Sequence, residues 1–315
     1  MQKNLNGHTL SLLRFIVSVR YGVILISKVL SVAFLMVMVM YSFVVASIGS
    51  HEADVSSDTL ALETHLLTDN LKKAHSIEYR YPEELMITES DGDRISVLQV
   101  SLDDRETINH EHIDLSELDR PGAVASLAQT YVAVVNNGSE EVVLLDDSLR
   151  YLRLLQVPGW VLDDKTFQPS DITSNTIGES YVLDSTGKSV YHFDANGSYL
   201  QYLSLEHMDR PVSLMYAEES LFVSDSESGK VYVLTGSGHE LASIGVFPNL
   251  HRVRVIDRTI WILSGGVIHA FNIYGEHIGN WKLQDSDKKI MDLLIMDNHL
   301  FLLTACCLYF SSNME

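Results

Sequence analysis

Short runs of Val, Ile, Leu, Tyr and Phe, separated by polar turns, recur along most of this chain. Residues 181–184 (YVLD), 221–225 (LFVSD), 260–263 (IWIL) and 300–303 (LFLL) share one pattern. With Val182, Phe222, Trp261 and Phe301 as markers, the spacings are 40, 39 and 40. Each run is followed by a turn and a second run: SVYHFD, KVYVLT, GVIHAFN and CLYFS. In the first three units an ANG, GSG or YGE turn then leads to a third run. Upstream, YVAV (131–134) is followed by NNGSE and EVVLLD, and LMIT (85–88) by ESDGD and RISVLQV. β-branched and aromatic runs bounded by Asn-Gly and Ser-Gly turns read as strands. Six such units at a period near forty residues predict an all-β, six-bladed β-propeller, because no single unit can bury both of its own faces. A β-solenoid fits less well, since its rungs are usually ~20–29 residues long.

The pattern changes at the N-terminus. Residues 29–50 carry no charge, and as a helix they would span ~33 Å, enough for a hydrocarbon core of ~30 Å. Lys3, Arg14, Arg20 and Lys28 precede this run, and Glu52, Asp54 and Asp58 follow it. The positive-inside bias puts residues 1–28 in the cytoplasm, a transmembrane helix at 29–50, and the remainder outside. Val44 and Ala46 would also suit signal-peptide cleavage, but the apolar run exceeds the usual ~7–15 residues, which favours an uncleaved anchor. Leu62, Leu66, Leu67 and Leu71 fall near helical spacing, so residues 51–75 read as a stalk or linker before a propeller domain at 76–315.

Charge limits the partners. Of 22 basic residues, four precede the membrane segment, leaving 18 against 42 acidic residues, a net of −24 beyond residue 50. Such a domain repels phosphate backbones, so nucleic acid is excluded as a partner. The two cysteines, Cys306 and Cys307, are adjacent. They are read as small apolar core residues rather than a disulfide, since a bond between neighbours distorts the peptide.

The units PSDIT…SYVLDSTGKSVYHFDANGSYLQYL and RPVSLMYAEESLFVSDSESGKVYVLTGSGHELASI resemble the NHL-type six-bladed propellers. Pro169 and Pro211 match the Pro before the first strand, Asp184 and Asp225 the acid of the second, and Asp194 and Gly197 the Asp-x-x-Gly turn. The Asn-His-Arg usual in that family's turn is replaced here by Ser-Thr-Gly-Lys and Glu-Ser-Gly-Lys. The resemblance implies architecture, since such propellers serve many roles. Lactonases and lyases related by shape imply a divalent metal held in the channel by inward Glu, Asp, Asn or His, and no such set stands out in the sequence. Closure is left with two solutions: SIEYRY (76–81), or the stretch before it, completes the last blade, or SIEYRY is the first blade's inner strand.

Candidate chemistry is sparse. There is no HExxH, GxSxG, P-loop or dinucleotide fingerprint. His110 and His112 share one strand face, a start toward zinc without a marked third ligand. The pairs Asp91/Asp93, Asp103/Asp104, Asp146/Asp147 and Asp163/Asp164 admit Ca2+ or another divalent metal, although Asp also favours turns for its own sake. No cofactor is predicted. Asn137-Gly-Ser and Asn196-Gly-Ser fit glycosylation sequons and equally well fit hairpin turns. Aligning the units before their first strands brings together His75, Arg120, Gln168, Arg210, Asn249 and Lys289 as a channel-mouth rim. Trp160, in the inserted segment 158–164, is expected beside it as an aromatic wall. The expectation is a binding or scaffolding module for an envelope protein, peptide or anionic ligand, membrane-held and facing the periplasm. The alternative is a lactonase-like hydrolase or lyase.

Overall fold

The computed structural model describes residues 59–80, 84–102, 104–128, 130–163, 165–284 and 288–311. The apolar segment 29–50, its flanks and the first part of the expected stalk lie outside these. Among the described residues no helix is long and apolar enough to cross a membrane.

Two strands, β1 (Thr59–Leu62) and β2 (His65–Thr68), precede the repeats. The first blade comprises β3 (Ala74–Arg80), β4 (Glu84–Glu89), β5 (Arg94–Ser101) and β6 (Glu106–Asp114). The second comprises β7 (Pro121–Leu127), β8 (Tyr131–Asn136), β9 (Glu141–Asp146) and β10 (Tyr151–Leu154), followed by a one-turn helix α1 (Gly159–Leu162). The third is β11 (Pro169–Ser174), β12 (Ser180–Asp184), β13 (Ser189–Phe193) and β14 (Tyr199–Ser204). The fourth is β15 (Pro211–Ala217), β16 (Ser220–Asp225), β17 (Lys230–Thr235) and β18 (Glu240–Ile244). The fifth is β19 (Leu250–Ile256), β20 (Thr259–Ser264), β21 (Val267–Asn272) and β22 (His277–Leu283). The sixth holds β23 (Ile290–Met296), β24 (His299–Thr304) and β25 (Leu308–Ser311).

Each blade is an antiparallel meander with its first strand innermost. Adjacent inner strands touch all the way round, β23 against β3 included, so six blades close a ring. The sixth blade takes its outer strand from the N-terminal side: β2 pairs antiparallel with β25. β1 adds in parallel to β22 on the fifth blade. SIEYR is therefore the first blade's inner strand, and the stretch before it closes the ring. The helical spacing at Leu62–Leu71 is misleading. Leu62 is buried between the fifth and sixth blades and Leu71 between the sixth and first, and the segment between them forms the strand β2, because an open β25 edge offers unpaired backbone groups that a free helix would leave unmet.

Apolar residues on the two faces of each blade meet those of both neighbours, giving six clusters, one per interface. Phe222, Trp261 and Phe301 all face the following blade, but Val182 faces the preceding one. Tyr181, packed toward the fourth blade, is the true counterpart of Phe222. The marker spacing thus hides a one-residue slip, which in a strand exchanges the two faces.

Pro121, Pro169 and Pro211 open inner strands. These are edge strands along the channel, where a missing N–H costs no ladder bond. Gly229 sits at φ +70°, and a Cβ there would lie 2.9 Å from the Phe247 carbonyl. Phe247 donates its N–H to Gly229 at 2.7 Å, so the turn and the outgoing chain are locked together.

Candidate functional site: the central channel

Inner strands begin at one face of the ring, called upper here, and end at the lower face. The residues immediately before them are Lys73, Arg120, Gln168, Arg210, Asn249 and Lys289, so five of the six predicted rim positions stand in equivalent places. His75 does not. It lies inside β3, with Nε2 3.1 Å from Ser90 Oγ, and Lys73 takes its place. Lys73 precedes the bulge that every inner strand carries near its start, whereas His75 lies within it, where two residues of β3 face one of β4.

The rim is only partly free. Lys73 pairs with Asp91 at 3.3 Å and Arg120 with Asp119 at 3.6 Å, both exposed. Gln168 donates to Glu140 at 3.1 Å. Arg210 and Lys289 make no ion pair among the described residues, and both are exposed. Trp160 is 81% exposed and its ring meets Tyr199 of β14 edge-on at 6.2 Å. β14 is the outermost strand of its blade, so Trp160 stands on the circumference and not at the channel mouth. Val161, Leu162 and Phe167 draw the insertion there by packing into the interface between the second and third blades.

The acids matched to the NHL pattern hold the straps that lead into the inner strands. Asp225 accepts the N–H groups of Asp209 at 2.8 Å and Arg210 at 2.9 Å, and Asp184 accepts that of Gln168 at 3.2 Å. Burial opposes Asp225 ionisation, but those N–H donors outweigh it and hold its carboxyl below the usual range. Asp194 accepts the N–H groups of Asn196 at 2.9 Å and Ser198 at 2.7 Å, which makes the second sequon a turn. Cys306 and Cys307 are disulfide-bonded, contrary to expectation. They form the upper-face turn of the sixth blade. The Ala305 and Cys306 carbonyls accept the N–H groups of Ala74 and Leu71 at 2.8 and 3.0 Å, tying that turn to the incoming strap.

Below the rim, the channel is filled by charge. Arg252 Nη1 lies 3.0 Å from both carboxylate oxygens of Asp171. Arg254 donates through Nε to Asp292 Oδ1 at 2.8 Å and through Nη2 to Oδ2. Its Nη2 also reaches the Ile77 carbonyl at 3.0 Å, and Nη1 stands 3.8 Å from Glu78 Oε2. Asp171 and Asp292 spend their remaining lone pairs on backbone: Leu214 N–H on Asp171 at 2.9 Å and Ile77 N–H on Asp292 at 3.1 Å. Val253 N–H similarly meets Ser213 Oγ at 3.4 Å, and Tyr216 N–H meets Thr173 Oγ1 at 3.1 Å. Inner strands of neighbouring blades do not form a ladder, so side chains of one blade satisfy the N–H groups of the next. Burial opposes the charge on Asp292, yet Arg252 and Arg254 keep its carboxyl below the ordinary range.

This donor set does not fit a channel metal of the kind the lactonase resemblance implies. Both deeply buried carboxylates are already matched to guanidinium groups, and a divalent cation would have to displace them. Sequence reasoning missed this hub, although the signal was present: HRVRV in β19 alternates charged and apolar residues, aiming two arginines at one side of an inner strand.

The third ligand wanted by His110 and His112 does exist. Glu89, fully buried, offers an oxygen within 4.8 Å of both rings. That carboxylate is also saturated. It accepts Arg94 Nε at 3.1 Å and Nη2 at 3.0 Å, the Ser96 hydroxyl and the Lys72 N–H. Ser96 Oγ in turn meets His112 Nδ1 at 2.8 Å and His110 Nε2 at 3.1 Å. The cluster is a polar clasp for the first blade's strap.

At the lower face, the ends of β3 and β7 and the turn after β11 enclose a cavity of about 520 Å3 lined by Glu78, Arg80, Tyr131 and Asp147 among others.

No family model and no curated protein matches the sequence. Solved structures do resemble the fold. Virginiamycin B lyase from Staphylococcus aureus superposes with a TM-score of 0.60 at 12% identity, over 79% of this chain and 98% of that one. A gluconolactonase from Xanthomonas campestris gives a TM-score of 0.64 at 15% identity, over 81% and 95%. A chain of the nidogen/laminin complex gives 0.58 at 12% identity, over 68% and 82%. At these identities the likeness is one of architecture: this chain is a six-bladed β-propeller.

Proposed function

We propose that this chain is a recognition propeller, held at a membrane by residues 29–50 and displaying its ring outside the cytoplasm to a protein or peptide of the cell envelope. The observation that carries the reading is the matching of Arg252 and Arg254 to Asp171 and Asp292. A hub whose buried carboxylates are committed to guanidinium groups supports a rigid ring rather than metal chemistry. Contact then falls to loops on the upper face, where a rigid scaffold presents variable segments. There Arg210 and Lys289, exposed and without an ion pair among the described residues, stand in an otherwise acidic domain, and they favour a carboxylate-bearing partner surface. Cross-linking in intact cells, followed by identification of captured neighbours, tests this. The expected result is a discrete envelope partner whose capture falls when Arg210 and Lys289 are both replaced by Ala. Unchanged capture would remove the rim from the interface. Protease digestion of sealed vesicles tests the orientation, with the ring cut only from the non-cytoplasmic side.

The fold likeness to a lyase and a gluconolactonase raises the enzymatic alternative. It is distant, and it finds no matching donor set at the hub.

A further inference from the structure

The charges of the hub do not balance, and the imbalance faces the lower cavity. Arg252 and Arg254 are matched by Asp171 and Asp292, which leaves Glu78 as a fifth, surplus ionisable group. Its one cationic neighbour at the hub is Arg254, at 3.8 Å and already bonded more closely to Asp292. The Glu78 side chain keeps 24% of its surface open and lines the cavity. Asp147 adds a second acid to that wall. The cationic wall residue, Arg80, is spent: it pairs with Glu84 at 3.2 Å and donates to the Asp147 carbonyl. Tyr131 lines the same space. The volume suits a small organic molecule or one long side chain, since ligand pockets commonly run ~300–1,000 Å3.

From this arrangement the geometry points to a second binding site, distinct from the upper rim, in which the lower cavity receives an organic ammonium group against Glu78. The bound cation supplies the charge that Arg254 does not, and Tyr131 adds to the lining an aromatic residue of the type that attracts cations. The acidic domain, net −24 beyond residue 50, concentrates cations around the opening. The charged groups acting on Glu78 are Arg254 of β19, Asp292 of β23 and Asp171 of β11, while β7 contributes the Ser126 N–H. Burial leads these influences and pushes the carboxyl up to about 7. Cation binding therefore competes with a proton near neutrality.

The test is calorimetric titration of the folded protein with three probes: capped lysine (Nα-acetyl-lysinamide), its uncharged isostere capped norleucine, and n-butylammonium. Capped lysine should bind at about pH 8, weaken by about tenfold at about pH 6, and release protons near neutrality, as shown by heats that differ between buffers. Capped norleucine should not bind, and Glu78→Gln should weaken capped lysine by about tenfold or more. Butylammonium binding as well as capped lysine identifies a free amine as the ligand, while a preference for capped lysine identifies a peptide side chain. Equal binding of lysine and norleucine, an affinity indifferent to pH, or no binding of either amine at about pH 8 overturns the site. The wild-type proton release keeps the test decisive even if the Gln variant folds poorly.

Discussion

Asp292, in the last inner strand, accepts the N–H of Ile77, in the first, at 3.1 Å across the seam where the ring closes. The same carboxylate anchors Arg254, so one side chain joins ring closure to charge balance at the hub. Replacing it with Asn takes from Arg254 its close carboxylate and leaves the two buried guanidinium groups with Asp171 and the more distant Glu78, 3.8 Å from Arg254. Removing one partner of a buried ion pair costs ~3–5 kcal/mol. Asp292→Asn should lower the unfolding free energy by about that amount in urea. A loss below ~1 kcal/mol would show that the hub contributes little.

Glu78 predicts a pH signature. Its folded-state value, about 7, exceeds the ordinary 4.5, so the folded state holds this proton more tightly than the unfolded state does. Its favourable contribution is present below the unfolded value and is lost as pH rises through about 7. Half-buried histidines act in the opposite sense. Burial, with added repulsion from cations, holds His75 and His251 below their usual value, so their contribution grows as pH rises toward that value. The difference between wild type and Glu78→Gln isolates the glutamate. The wild type should lose on the order of 3 kcal/mol relative to the variant between about pH 5 and pH 8. A flat difference curve would contradict it.

Closure depends on β2. A chain starting at residue 70 lacks both β1 and β2 and exposes the edges of β25 and β22. Compared with a chain starting at residue 58, it should melt more than ~5 °C lower and self-associate through the open edge. Sedimentation and thermal unfolding of the two chains check this, and equal melting would show that closure lies elsewhere.

The Cys306–Cys307 bond should appear as an intact mass lower by two hydrogens than the reduced chain, with no thiol alkylated before reduction. Reduction should speed amide exchange at Leu71 and Ala74, whose N–H groups rest on that turn. Exchange that stays unchanged would disconnect the bond from the strap.

Most of the architecture was legible because each blade repeats one alternation of apolar and polar residues, and six repeats suffice to close a ring. Places where the reading failed share a cause. His75 stood for Lys73 because no proline marks the start of β3, as Pro121, Pro169 and Pro211 mark those of β7, β11 and β15. Val182 stood for Tyr181 because apolar residues occupy both faces of a strand that is buried on both. The leucines from 62 to 71 matched a helix by spacing, while their role was set by an unpaired edge about 240 residues away in sequence. Trp160 left the channel mouth because its neighbours Val161 and Leu162 had an apolar interface to enter. The hub of Arg252, Arg254, Asp171, Asp292 and Glu78 is assembled from four blades, and no local pattern announces such a meeting.

The central claim is that the hub carboxylates serve guanidinium groups and not a metal. Elemental analysis of the purified ring, combined with titration of Ca2+, Mg2+, Mn2+ and Zn2+, tests it directly. The account predicts no divalent ion retained after dialysis and no titration signal that Asp171→Asn or Asp292→Asn abolishes. One tightly held ion per chain, lost in either variant, would contradict it.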